Sequence, residues 1–159
     1  MKIVFMGTPD FGIPSLNELY KQGYEVEAVY TQPDRVNKRG NKVQFSAVKQ
    51  FALEHDITIY QPNSLKDEKE LDVLRALNPD LIIVIAYGKI LPQAVLDIPK
   101  YGVINVHASL LPKYRGAAPV QRSIIDGEET TGVTIMQLDA GMDTGNIITE
   151  KSVFITPHM

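Results

Sequence analysis

Asn105 and His107 are the residues of this sequence whose types and spacing point most directly to chemistry. They close an apolar run, Val103-Ile104-Asn105-Val106-His107. In a strand, alternate side chains face the same way, so the two project from one face, about 6.5–7 Å apart, with Val103 behind them. Ile104 and Val106 then point to the other face. An amide donates hydrogen bonds, and an imidazole exchanges a proton near neutral pH. Two such groups at the end of an apolar strand cost desolvation free energy unless a protein partner or a substrate satisfies them. The end of a strand is also where open α/β sheets place their ligands. Ser109 adds a hydroxyl, Lys113 and Arg115 add charge, and Pro112 and Gly116 shape a loop beside the pair. Taken alone, the pair leaves two readings open, a site or a structurally satisfied polar pair.

Elements that position this pair can be read along the chain. At 159 residues the length suits one domain with a real core, and 44% hydrophobic with 22% charged residues is an ordinary globular composition. There is no cysteine, which removes disulfides and thiolate metal sites. The first apolar run is too short for a signal peptide or a membrane span, so a cytoplasmic location is the default expectation. A net charge of −3 makes the whole molecule a poor attractant for nucleic acid, so any RNA contact requires a local patch.

Residues 2–6 form a β-prone apolar run ending at Gly7, and Gly7-Thr8-Pro9-Asp10 reads as a tight strand-to-helix turn. A helix follows to about Gln22, closed by Gly23. This stretch lacks both G-x-G-x-x-G and the P-loop pattern, so a nicotinamide or ATP reading loses its main support. Residues 25–31 read as a strand. Residues 32–43 have no periodicity and read as a long loop. Arg35, Lys38, Arg39, Lys42 and Lys49 fall in a stretch with no acidic residue. Such a run is either a solvated face or, in this acidic chain, the best candidate for a phosphate-contacting arm. Residues 45–55 have helical spacing, with His55 at the C-terminal end in a structural role. Residues 57–60 read as a strand, and residues 67–77 as an amphipathic helix with Leu71, Leu74 and Leu77 inward. Residues 81–86 are apolar throughout, the pattern of a central parallel strand covered on both faces. Tyr87-Gly88-Lys89-Ile90-Leu91-Pro92 follows as a strand-to-helix loop, with Pro92 opening a short helix. Residues 117–126 read as a helix, residues 131–138 as an alternating strand and residues 146–155 as a last strand. Between those strands, Leu138-Asp139-Ala140-Gly141-Met142-Asp143-Thr144-Gly145 reads by itself as a tight polar turn, without the EF-hand pattern.

The segment Asn105-Val106-His107-Ala108-Ser109-Leu110-Leu111-Pro112-Lys113-Tyr114-Arg115-Gly116 resembles the signature of the folate-dependent formyltransferases. Gly7-Thr8-Pro9-Asp10-Phe11, Thr31-Gln32-Pro33-Asp34-Arg35 and Gly116-Ala117-Ala118-Pro119-Val120-Gln121-Arg122 resemble the methionyl-tRNA formyltransferase branch of that superfamily. The likeness runs from Met1 to the end of the chain. It implies an α/β, Rossmann-like formyltransferase fold: a mostly parallel central sheet with helices on both faces, incomplete at the C-terminus. It implies a one-carbon group transferase that moves a formyl group from 10-formyltetrahydrofolate to the amino group of methionyl-initiator tRNA in translation initiation. No metal, no membrane and a monomeric state are expected. Residues 1–159 then correspond to an N-terminal catalytic domain, truncated, with the family's further helices and C-terminal β-barrel domain absent.

By the same resemblance, Asn105, His107 and Asp143 are the catalytic residues. The folate pocket is formed by Tyr87, Gly88, Ile90 and Leu91, by Ser109, Leu110, Leu111 and Pro112, and by Leu138, Asp139, Ala140 and Gly141. The tRNA-contacting residues are Arg35, Lys38, Arg39 and Lys42. Formyl transfer to an amine needs an oxyanion donor, a proton acceptor and a proton donor. Asn105 supplies an amide N–H to the oxyanion, and protonated His107 is a second donor and a general acid. Asp143 orients His107, favours its cationic form and accepts a proton through water. Two alternatives stay open: a formyltransferase for another amine such as a nucleotide sugar, and an inactive folate- or tRNA-binding fragment. The basic loop and Thr31-Gln32-Pro33-Asp34 argue against the first.

Overall fold

The computed structural model describes residues 1–36, 40, 42–107, 130–138 and 147–154. In chain order the elements are β1 (Lys2–Gly7), a 3-10 turn (Asp10–Gly12), α1 (Ile13–Lys21), β2 (Glu25–Tyr30), β3 (Arg35–Val36), β4 (Val43–Gln44), α2 (Ala47–Glu54), β5 (Thr58–Tyr60), α3 (Glu68–Leu77), β6 (Leu81–Ile85), α4 (Gln93–Leu96), β7 (Val103–His107), β8 (Thr130–Gln137) and β9 (Ile147–Phe154). The helix read over residues 117–126 lies outside the described residues.

Seven strands form one sheet in the order β5-β2-β1-β6-β7-β8-β9. The first five run parallel, and β8 and β9 continue the sheet antiparallel. From β1 the chain winds out to β2 and β5, then returns to β6 and β7 on the other side of β1. The crossing point therefore lies between β1 and β6, and the carboxyl ends of strands at such a point are where open α/β sheets bind their ligands.

Each face of the sheet is covered by a different helix pair. Val4 and Met6 of β1 with Ile82 and Val84 of β6 pack under α3 and α4, where Leu71, Leu74, Val95 and Leu96 meet them. Ile3 and Phe5 with Ile83 and Ile85 face α1 and α2, where Leu16, Val48, Phe51 and Ala52 are buried. Strands covered on both sides cannot alternate in polarity, which is why β1 and β6 are apolar along nearly their whole length.

Helix ends are fixed locally. Ser46 caps α2 by accepting from the Lys49 backbone N–H at 3.0 Å, and Asp67 caps α3 by accepting from that of Lys69 at 3.0 Å. Asn78 ends α3 in the left-handed region, with φ 50°. Pro92 is the N-cap of α4 and not its first helical residue. His55 ends α2, with Nδ1 2.8 Å from the Phe51 carbonyl and its ring stacked on Phe51 at 3.9 Å, in keeping with the structural reading.

One expectation changes, and one residue gains a different reason. Residues 32–43 are not simply a loop: β3 and β4 pair antiparallel, with Arg35 opposite Gln44 and Val36 opposite Val43. The pairing joins residues seven to nine positions apart across a turn, so no single run shows a period. The tight strand-to-helix turn is present, with Thr8 and Pro9 alone between β1 and the 3-10 turn, but Gly7 is not among the glycines with positive φ. A Cβ there would lie 2.7 Å from the Ile85 carbonyl oxygen and 2.8 Å from the Phe5 ring, so the residue is glycine for space. Among the described residues, no helix is long and apolar enough to cross a membrane.

Candidate active site

β7 runs between β6 and β8, with Asn105 opposite Val84 on one side and Met136 on the other. Val103, Asn105 and His107 are buried, while Ile104 and Val106 are half-buried. Alternation therefore puts the two polar side chains on the face of Val103, which packs with the α3–α4 core. Asn105 is 9% exposed and His107 6%. Neither stands without an interaction. Two polar groups so deeply placed are held by specific contacts and not by bulk water.

The end of β6 forms the neighbouring wall. The chain leaves the strand through two left-handed positions, Ala86 with φ 51° and Gly88 with φ 90°. Between them Tyr87 is buried, whereas Ala86 and Gly88 are exposed. One buried ring thus anchors a turn flanked by two exposed residues. Thr8 bolts this turn to β1: its N–H donates to the Ala86 carbonyl at 3.2 Å, and its hydroxyl donates to the Tyr87 carbonyl at 2.9 Å. Ile90 is 78% exposed and Leu91 buried, so an apolar side chain stands open beside the turn. Lys89 is tied back by a 2.6 Å bond from its ammonium to the Asn63 carbonyl.

Tyr30 and Tyr87 are both buried, and neither hydroxyl has a partner among the described residues. Burial, with Tyr60 and Glu70 nearby for Tyr30 and Glu70 for Tyr87, raises both phenols well above the ordinary tyrosine value. They are neutral spacers beneath the turn.

Of the residues expected at the site, Asn105, His107, Tyr87, Gly88, Ile90, Leu91 and Leu138 are described. Leu138 is half-buried, packs against the α3–α4 core, and donates its N–H to the Val103 carbonyl at 2.8 Å. β8 runs against β7, so Leu138 stands at the start of β7 and not at its His107 end. Ser109, Leu110, Leu111, Pro112, Asp139, Ala140, Gly141 and Asp143 lie outside the described residues. So do Lys38 and Arg39 of the basic stretch.

Arg35 and Lys42 sit at the base and shoulder of the β3–β4 hairpin, and both are exposed. Lys49, counted with them in the sequence, belongs elsewhere. Its ammonium makes two bonds to the Asp34 carboxylate, at 3.0 and 2.7 Å, and lies 3.9 Å from the centre of the Phe45 ring. Gln61 Nε2 donates to the same carboxylate at 2.7 Å and to the Gln32 carbonyl at 3.2 Å. Asp34, Lys49 and Gln61 were not singled out from the sequence as a group, since 27 positions separate the first from the last. The signal within reach was Asp34 itself, an acid at the root of a basic run.

This sheet, wound both ways from β1 with antiparallel strands at one edge, defines the formyltransferase fold. A phosphoribosylglycinamide formyltransferase from Bacillus halodurans superposes with a TM-score of 0.81 at 22% identity, over 100% of this chain and 82% of that one. A glycinamide ribonucleotide transformylase from Geobacillus kaustophilus superposes with a TM-score of 0.77 at 23% identity, over 99% of this chain and 84% of that one. The formyl transferase family model matches residues 1–159, and the chain belongs to that family. A methionyl-tRNA formyltransferase of Clostridium perfringens is 58% identical over 100% of this chain and 52% of its own length. One from Caldanaerobacter subterraneus is 55% identical over 98% of this chain and 50% of its own. The chain therefore spans about half the length of these curated relatives.

Proposed function

We propose that the protein transfers the formyl group of 10-formyltetrahydrofolate to the amino group of methionyl-initiator tRNA. The observation that carries this reading is the 58% identity, over the whole chain, to a protein named methionyl-tRNA formyltransferase. The burial of Asn105 and His107 on one face of β7 supports it from the side of geometry. The same reading puts the protein in the cytoplasm and makes it act without a metal, as a monomer.

The residues divide the work as follows. The amine nitrogen attacks the formyl carbon, and a C–N bond forms while negative charge gathers on the carbonyl oxygen. Asn105 donates to that oxygen, and His107 in its cationic form is a second donor. The bond from carbon to N10 then breaks, N10 gains a proton from His107, and the amine loses one to Asp143 through water. Asp143 lies five positions after Leu138 in sequence. Five residues reach about 16–18 Å when extended, against about 13 Å from Val103 to His107 along β7, so the loop has the length to return to the imidazole. The folate pterin suits the turn after β6, where Ala86 and Gly88 are exposed and Ile90 offers apolar surface, with Tyr87 and Leu91 as anchors. Ser109, Leu110, Leu111, Pro112, Leu138, Asp139, Ala140 and Gly141 complete that pocket in this reading. Arg35, Lys38, Arg39 and Lys42 contact tRNA phosphates.

The deciding assay offers 10-formyltetrahydrofolate with three amines in parallel: methionyl-initiator tRNA, an amino-sugar nucleotide and glycinamide ribonucleotide. Formylation of the tRNA alone is expected. Preference for either small amine would overturn the reading.

A further inference from the structure

Among the described residues, the β3–β4 hairpin pairs two residues on each side. Its cross-strand apolar pair, Val36 and Val43, is exposed and touches no core. A two-stranded hairpin of this kind has little stability of its own. What sets its direction must lie at its base.

The base is closed by contacts from three separate elements. Asp34 immediately precedes β3. Lys49 lies in the first turn of α2, just after β4, and grips Asp34 with both carboxylate oxygens. Gln61, beyond the end of β5, adds the third bond to that carboxylate. One step inward, the hydroxyls of Thr31 and Ser46 hydrogen-bond to each other across the same neck. The pair lies at the surface, with the Lys49 side chain 13% and the Asp34 side chain 27% exposed. Lys49 is therefore spent on the neck and is not a phosphate ligand.

From this neck a chain of bonds leads to the turn after β6. Gln61 also holds the Gln32 carbonyl, the Gln32 N–H donates to the Thr8 hydroxyl at 3.3 Å, and that hydroxyl donates to the Tyr87 carbonyl. The Gln32 amide lies so close to Gly88 that a Cβ there would meet its Nε2 at 2.7 Å. Hairpin and turn are thus built on the same two residues, Thr8 and Gln32.

We propose that Asp34, Lys49 and Gln61 are positioning residues which fix the basic hairpin relative to the turn after β6, so that a tRNA seated on the hairpin presents its amine to the formyl donor. This rests on the tRNA reading of the hairpin given above. It has a consequence opposite in sign to simple electrostatics. Asp34 is a negative charge at the root of an arm that binds phosphate. If charge alone mattered, Asp34→Asn would strengthen tRNA binding. If the clamp matters, it weakens productive binding, because the hairpin loses its bearing.

The test compares Asp34→Asn, Gln61→Ala, the charge swap Asp34→Lys/Lys49→Asp and, as control, Arg35→Ala/Lys42→Ala. For Asp34→Asn, kcat/KM for methionyl-tRNA is expected to fall about tenfold or more, the effect of losing a hydrogen bond to a charged partner. KM for the folate should change less than twofold. The swap should recover a large part of the loss. Hydrogen exchange at the amides of residues 35, 36, 43 and 44 should quicken in Asp34→Asn, a readout that needs no turnover. Unchanged or improved kcat/KM for tRNA, unchanged exchange, or a swap no better than Asp34→Asn would each overturn the clamp. If the control pair also leaves tRNA kinetics untouched, the hairpin reading itself fails and the clamp falls with it. If the control weakens tRNA use and the clamp variants do not, only the clamp is wrong.

Discussion

At the scale of single residues, Asn105 and His107 concern transition-state charge. Asn105→Ala is expected to lower kcat by about 10²–10³, roughly 2.7–4 kcal/mol, the usual cost of one oxyanion donor. His107→Ala removes both a donor and the acid and should cost at least as much. Because both act on one intermediate, the double variant should be little worse than either single in steady-state kinetics. Singles with near-normal kcat would mean that the pair is structural. The buried phenols of Tyr30 and Tyr87 give a second, independent prediction. Each hydroxyl is desolvated without a described partner, so Tyr30→Phe and Tyr87→Phe should leave stability unchanged or raise it by up to about 1–3 kcal/mol in urea titration. Their pKa values are raised in the fold from the ordinary 10.0. The unfolded chain then loses these protons first, so stability is intact below pH 10.0 and falls as pH rises above it. Each phenol contributes a slope of about 1.4 kcal/mol per pH unit, which its Phe variant should remove. Asp34 behaves oppositely. Lys49, then Gln61, holds its pKa below the usual 3.8, so its contribution is present above 3.8 and disappears as pH falls through the lowered value. Hairpin exchange rates, corrected for intrinsic pH dependence, should be flat at pH values above 3.8 and rise only below it.

At the scale of elements, glycines separate space from conformation. Gly7→Ala forces a Cβ against the Ile85 carbonyl at 2.7 Å, a backbone atom that cannot swing aside. β1 and β6 must then part, and a loss of about 1–3 kcal/mol is expected in thermal or urea unfolding. Gly23→Ala meets nothing within 4 Å and carries only the strain of φ +79°, so it should be milder. A Gly7→Ala protein as stable as the parent would show that the two strands are not in the close contact described. Ser46 has two duties, capping α2 and meeting Thr31 across the neck. Ser46→Ala should therefore cost about 0.5–2 kcal/mol from the cap and also loosen the hairpin.

For the whole molecule, stability rests on two cores divided by one sheet. β1 and β6 touch both cores and lie between paired strands on each side. Their amides should be the slowest to exchange, while β5, at the sheet edge, and the β3–β4 hairpin should exchange earlier through local opening. Leu74, fully buried between α3 and the sheet, should cost about 2–5 kcal/mol when cut to Ala. Slow exchange in β5 and fast exchange in β1 would contradict the described order of strands.

Much of this was readable along the chain because it depends on neighbours in sequence. Alternation from Val103 to His107 determines that Asn105 and His107 share a face, since a strand has a period of two whatever packs on it. The unbroken apolar run at residues 81–85 determines a strand buried on both sides. What the tertiary structure decided are relations between distant positions. Gly7 is small because of Ile85, Lys49 is withdrawn from the basic run by Asp34, and Gln61 joins them from the end of β5. No local pattern encodes these, because contacts among residues fifteen or more positions apart exist only once the sheet has brought their elements together.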